Sequence, residues 1–340
     1  MGILEDSTVR RSIIGLMLTL TLGILVVPRV SHAQQPAKVP RIGILMSVTP
    51  EMGQHLFEAF RHGLREQGWV EGQTILLEPR WAEGKLERFA DLAAELVRLK
   101  VDLLFTPNTP GTHAAQTATR TIPIVSISYA PAAAGFALGP ARPRGNITGL
   151  ALRTVRTKTV VTTEALELLK EVLPTASRVA VLWHPADPSN VVQWGEIQEA
   201  AKVLGVTLHS LEARSAAEVA QVVAGMPREE VDALYVCGGY LTLQTRKQIV
   251  DLVAQQQLPA MYAFREFVEE GGLMSYAANL VDVYRRAATY VDKILRGATP
   301  AELPIEQARK VELVLNLKTA QALGVTFPPT LLLLADEVIR

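Results

Sequence analysis

The sequence predicts an α/β protein of two Rossmann-like lobes with parallel sheets, and three observations predict it. Short, near-continuous apolar strand-like runs alternate with amphipathic helix-like runs, the pattern of parallel sheets covered on both faces. The rhythm breaks in the Ala-, Gly- and Pro-rich stretch 131–145 and restarts after Gly149. A strong helix and a further strand then follow the second block, so the chain crosses between blocks more than once.

In the first block, 41–47 is a strand, and Phe57, Phe60 and Leu64 recur at helical spacing. Gly68 ends that helix and 74–78 is the next strand. Leu86, Phe89, Ala93, Leu96 and Val97 make a second amphipathic helix, and 101–105 a third strand. A short helix at 112–119 and a strand at 124–127 complete the block. The second block reads helix 164–172, strand 179–183, helix 191–204, strand 207–211, helix 216–226, strand 233–237, helix 243–254 and strand 259–262. Helix 281–295, stopped by Gly297, precedes a strand at 312–315 and a helix at 317–323. The expected division is lobe 1 at 41–150 plus 277–305 and lobe 2 at 151–276 plus 306–340.

Ahead of the lobes, Arg10 and Arg11 precede an uncharged apolar run from Ser12 to Val27, and Ser31-His32-Ala33 follows. A basic region, a short apolar region and a small-x-Ala site read as a secretory signal peptide over 1–33, with 34–40 as linker. The apolar run is shorter than the roughly 20 residues of a spanning helix; an uncleaved anchor is the alternative. The chain is expected to work in the periplasm or otherwise outside the cytoplasm. Removing 1–33 takes away Arg10, Arg11, Arg29, Glu5 and Asp6, so 34 basic and 34 acidic residues become 31 and 32, a net charge of −1. Nucleic-acid binding, which needs a basic stripe, is not expected. Cys237 is the single cysteine, so no internal disulfide forms, and its apolar surroundings read as a buried thiol.

Several segments, taken as an ordered set, resemble the substrate-binding proteins of ABC transporters in the TrpX-like family. They are 63–73 (GLREQGWVEGQ), 92–102 (LAAELVRLKVD), 120–125 (RTIPIV), 145–149 (GNITG), 271–276 (GGLMSY), 303–307 (LPIEQ), 315–320 (LNLKTA) and Ala322-Leu323-Gly324 with Pro328-Pro329. The resemblance runs from about Val39 to the C-terminus. It implies a type I periplasmic-binding-protein fold, two lobes joined by three crossovers. It also implies a partner made of a membrane permease and its ATPase, so the membrane is met only through the permease. Characterised members are similar to binders of aromatic amino acids. The chain departs from the pattern at Ala130-Pro131, at Pro143-Arg144-Gly145-Asn146 and at His184-Pro185, all at strand ends expected to face the cleft or hinge.

Ligands in open α/β sheets bind outside the carboxyl ends of the strands, which selects the loops there. After the first strand, Ser47 and Thr49 offer hydroxyls, with helix capping as the other reading. After the third, Asn108, Thr109 and Thr112 open a helix whose positive end suits a carboxylate, with a Pro-bounded turn as the alternative. Ser128 and Tyr129 follow the fourth strand. In the second lobe the candidates are Trp183, His184 and Asn190, then Gly238 and Tyr240, then Tyr262, and Tyr276 at a crossover. Core packing is the other reading of the aromatic residues. Arg265 reads as a carboxylate clamp or as a solvated pair with Glu269.

The sequence holds no G-x-S-x-G, G-x-G-x-x-G, G-x-x-x-x-G-K-[ST] or H-E-x-x-H. No catalytic residue, metal or cofactor is expected. The reading is a monomeric binding protein that captures a small molecule, an amino acid or related carboxylate, between two lobes for an ABC import permease. A sensory co-receptor and a secreted α/β enzyme are the alternatives.

Overall fold

The computed structural model describes residues 38–340 apart from 140, 157 and 158. The expected signal peptide at 1–33 and the first four residues of the expected linker lie outside the described residues.

The chain runs β1 (Arg41–Met46), α1 (Pro50–Glu66), β2 (Leu76–Trp81), α2 (Arg88–Arg98), β3 (Leu103–Thr106), α3 (Thr109–Ala118), β4 (Ile124–Ser128) and β5 (Ile147–Ala151). A short antiparallel pair, β6 (Val155–Arg156) and β7 (Thr159–Val160), follows. The second sheet region comprises α4 (Val161–Val172), β8 (Arg178–Trp183), α5 (Pro188–Leu204), β9 (Thr207–Glu212), α6 (Ala216–Ala224) and β10 (Ala233–Val236). It continues through α7 (Tyr240–Gln244), α8 (Arg246–Gln255), β11 (Ala260–Tyr262), α9 (Arg265–Glu269) and β12 (Met274–Ala278). Then come α10 (Leu280–Leu295), β13 (Glu306–Gln307), β14 (Val311–Asn316), α11 (Leu317–Ala322), α12 (Pro329–Leu334) and β15 (Glu337–Ile339).

The first sheet has the order β2-β1-β3-β4-β5-β13, all pairs parallel. The second has the order β9-β8-β10-β11-β12-β14-β15, parallel except that β14 runs against β12. The chain passes between the sheets three times, after β5, after β12 and after β13. β12 keeps Ala277 and Ala278 in the second sheet, and β13 pairs Glu306 and Gln307 with Leu150 and Ala151 in the first. The crossings thus fall after Ala278 and after Gln307 rather than at the expected 277 and 306.

The strands are buried on both faces. Ile42 and Ile44 pack with Phe60 and Phe105, whose rings stack at 4.2 Å, while Leu45 on the other face meets Phe89 and Leu96. In the second sheet Val179, Val181 and Tyr235 pack with Leu166, Leu169 and Ile197. Helix α10 lies against α1 on the first lobe. A Cβ on Gly63 of α1 would sit 2.2 Å from the Arg285 carbonyl oxygen, so only glycine lets the two helices approach so closely. Trp69 fixes the same contact, its indole N–H donating to Asp292 at 2.9 Å.

The sequence reading missed β5, because Gly149 at its centre reads as a breaker. There the backbone takes φ +142, and a Cβ would lie 1.9 Å from the Ser126 carbonyl oxygen. Gly149 is what permits pairing with β4. Helix α3 starts three residues earlier than expected, since Asn108 caps it by accepting from Gly111 N at 2.6 Å.

Candidate ligand site

In each sheet the strand order reverses beside the first strand, between β1 and β3 and between β8 and β10. Ligands bind outside the carboxyl ends at such points. The loops after these four strands, with that after β4, converge on a cavity of ≈ 70 Å³ between the lobes. At about 10–15 Å³ per water this holds roughly five to seven waters, room for a small molecule and not for an oligomer.

Ser47, Asn108, Thr109, Ser128 and Tyr129 line it from the first lobe. The Asn108 amide donates to the Leu45 carbonyl at 2.8 Å and caps α3, so it locks β1 to the helix beside the cavity. The first turn of α3 presents the positive end of the helix there. Thr109 Oγ1 lies 3.2 Å from Ser128 Oγ and 3.3 Å from Ser189 Oγ of the second lobe. Two expectations are corrected. Thr112 does not line the cavity: its hydroxyl donates to the Asn108 carbonyl at 2.8 Å and bonds Thr106 Oγ1 (2.7 Å) and Ser126 Oγ (3.0 Å) beneath it. Thr49 caps α1, accepting from Met52 N at 3.4 Å.

The second lobe contributes Gly238 and Tyr240, as expected, with Asp187, Ser189 and Gly239. Asp187 caps α5 by accepting from Ser189 N at 2.8 Å. It is the one charged side chain among the lining residues, and no Lys or Arg joins it. Burial pushes its carboxyl above the ordinary 3.8, against the pull of the α5 N–H groups and of His184. His184 does not line the cavity. Its Nδ1 accepts from Ala186 N at 3.1 Å, which leaves the proton on Nε2, and burial holds its pKa below the ordinary value. Its ring lies 5.7 Å from that of Tyr240.

Four more expected residues serve the site indirectly or not at all. Asn190 braces two cavity loops, accepting from His184 N at 2.8 Å and donating to the Gly238 carbonyl at 2.9 Å. Trp183 is core: it stacks on Trp194 at 5.3 Å and donates to Ser210 at 2.8 Å. Tyr262 is 1% exposed and stacks on Phe267. Tyr276 donates to Glu164 at 2.8 Å and lines a smaller chamber behind the cavity. Arg265 is committed to Glu269, Glu312 and Glu337, away from the cavity.

The cavity also holds Leu56, Leu152, Leu243, Phe264, Leu280 and Tyr284, which the sequence reading did not select. Leu280 and Tyr284 are four apart on α10, so helical period was their available signal. The lobes meet in this structure. Besides Thr109–Ser189, His55 Nε2 approaches Glu266 Oε1 at 3.4 Å and Gln244 donates to the Glu83 carbonyl at 3.2 Å. Cys237 is fully buried beside the site, and burial pushes its thiol well above the usual range. Among the described residues no cluster of three His, Cys, Asp or Glu side chains could hold a metal, and no helix is long and apolar enough to cross a membrane.

Residues 41–339 match the family of ABC transporter substrate binding proteins. The tyrosine-binding protein of Clostridioides difficile (strain R20291) is 23% identical over 287 residues, 84% of this chain and 81% of that protein. An ABC domain from Streptococcus pneumonia in complex with L-Trp has TM-score 0.82 at 25% identity, covering 88% of this chain and 99% of that one. A ligand-free, open substrate binding protein with adhesive properties from Clostridium difficile has TM-score 0.65 at 24% identity over the same shares. The fold is that of type I periplasmic binding proteins.

Proposed function

We propose, from the premise that this chain belongs to the family of ABC transporter substrate-binding proteins, that it captures an amino acid between its lobes and delivers it to an import permease and its ATPase. The single observation that carries the ligand class is Asp187. A buried carboxylate lines the cavity, no cationic side chain lines it with Asp187, and the first turn of α3 lines the same cavity. An ammonium beside Asp187 and a carboxylate at the helix end neutralise both charges, whereas a sugar hydroxyl donates to Asp187 but neutralises neither. Tyrosine and tryptophan, named for two relatives, are the first candidates.

Capture proceeds by hinge motion. Ligand entering the open form bridges the lobes and shifts the population toward the closed form, whose three crossovers bend. No covalent step is proposed. The protein acts outside the cytoplasm after export and cleavage following Ala33, and lobe 1 comprises 41–151 with 280–307.

Calorimetry with tyrosine, tryptophan and their deaminated analogues, 3-(4-hydroxyphenyl)propionate and 3-(indol-3-yl)propionate, tests the reading. The amino acids are expected to bind and the deaminated acids to bind at least about tenfold more weakly. Equal affinity for both sets would remove the ammonium from the account.

A further inference from the structure

A smaller chamber of ≈ 30 Å³ lies behind the main cavity. Tyr129, Leu152, Gly238 and Phe264 line both spaces, so they form the neck between them. Polar ties hold two of these in place. The Tyr129 hydroxyl donates to Glu196 at 2.6 Å and also meets Thr162. The Gly238 N–H donates to Gln193 at 2.9 Å, and its carbonyl accepts from Asn190 and Gln193. The Phe264 ring can have no such tie. A Cβ on Gly238 would lie 2.9 Å from that ring, so glycine there leaves the ring its position.

Behind the neck the walls are Val161, Ala263, Ala277 and Ala278 with Thr162, Gln193, Tyr235 and Tyr276. The polar groups of the last four are taken up by Tyr129, Gly238, the Thr162 carbonyl and Glu164, which leaves the chamber to an apolar body. The chamber holds roughly two or three waters, too little for an aromatic ring while Phe264 stands in place. Leu152 and Val161 flank the first crossover, and Ala277 and Ala278 precede the second. A ligand that reaches the chamber therefore also touches the hinge.

We propose that Phe264 is a specificity-determining residue, and that the chamber behind it is the subsite for the far end of the ligand's apolar body. The inference rests on the amino-acid reading above and adds what limits side-chain length. With Phe264 in place the chamber admits only a short body and a ring stays in the main cavity; moving Phe264 aside opens the chamber to a ring.

The test uses Phe264→Ala and the milder Phe264→Leu, with folding checked by thermal melts. Calorimetry with leucine and tryptophan gives the ratio of their Kd values. Phe264→Ala is expected to shift that ratio toward tryptophan by about tenfold or more, with Phe264→Leu between it and the parent protein. Unchanged ratios in both variants would overturn the proposal. Ala277→Leu fills the chamber without touching Phe264, and keeps the proposal testable if both Phe264 variants unfold. It is expected to weaken leucine, whose shorter body the chamber admits, about tenfold more than tryptophan; equal weakening would overturn the proposal. Indole, which lacks the charged head group, separates this inference from the amino-acid reading. Phe264→Ala should gain a saturable rise in Tm with indole that the parent protein lacks. If the parent protein binds no amino acid but the variant gains indole, the amino-acid reading fails and the subsite stands. Absence of that gain together with unchanged ratios removes the subsite.

Discussion

Replacing Asp187 by Asn separates its two tasks. One carboxylate oxygen caps α5, accepting from Ser189 N at 2.8 Å, and Asn caps a helix as well as Asp. Stability should therefore change by less than about 1 kcal/mol. The other task is charge. A hydrogen bond to a charged group contributes about 1.5–3 kcal/mol, so Kd for an ammonium ligand should rise roughly ten- to 150-fold. The pH profile follows from the direction of the shift. Burial raises the Asp187 carboxyl above 3.8, so its contribution to the stability of the folded, ligand-free protein is present at low pH and is lost as pH rises through the raised value. An ammonium needs the ionised form, so affinity should fall as pH is lowered through the same value and level off above it. His184 stays neutral at pH 7, because burial holds it below the ordinary 6.5. The assay is calorimetry from pH 4 to pH 8 on both proteins. An unchanged Kd in Asp187→Asn, or a variant that keeps the parent's pH profile, would refute the reasoning.

Other expectations follow from the same geometry. Thr112→Ala should cost about 1–3 kcal/mol in urea unfolding, because it leaves buried hydroxyls of Thr106 and Ser126 short of a partner, and should change Kd little. Gly149→Ala should destabilise by at least about 2 kcal/mol or abolish folding, since φ +142 and the Ser126 carbonyl both exclude a side chain; thermal melts decide it. Native Cys237 should react with a thiol reagent only on unfolding, and fast labelling of the folded protein would contradict its burial.

Much of the fold was legible because parallel strands buried on both faces leave continuous apolar runs, as at Ile42–Met46 and Val179–Trp183. The rule for strand ends also selected Ser47, Asn108, Thr109, Ser128, Tyr129, Gly238 and Tyr240, which line the cavity. The rule names loops and not side-chain directions. Trp183 ends a strand yet turns to Trp194, and Thr112 lies one helical turn below the residues that reach the cavity. Phe264 lies two residues past the end of β11, in a loop the same rule covers, where its apolar ring reads as core. Leu280 and Tyr284 reach the site only through the second crossover, and their helical spacing marks a buried face without saying that it faces a ligand. Asp187 stands just before a helix, and a capping acid and a ligand acid look alike in sequence until burial and neighbours are known.

Native mass spectrometry of the mature protein, purified without added ligand, reads the captured molecule itself. A one-to-one adduct is expected whose fragmentation identifies an amine-bearing carboxylic acid, depleted in Asp187→Asn. An adduct without an amine, such as a sugar, or an adduct equally retained by the variant, would contradict amino-acid capture.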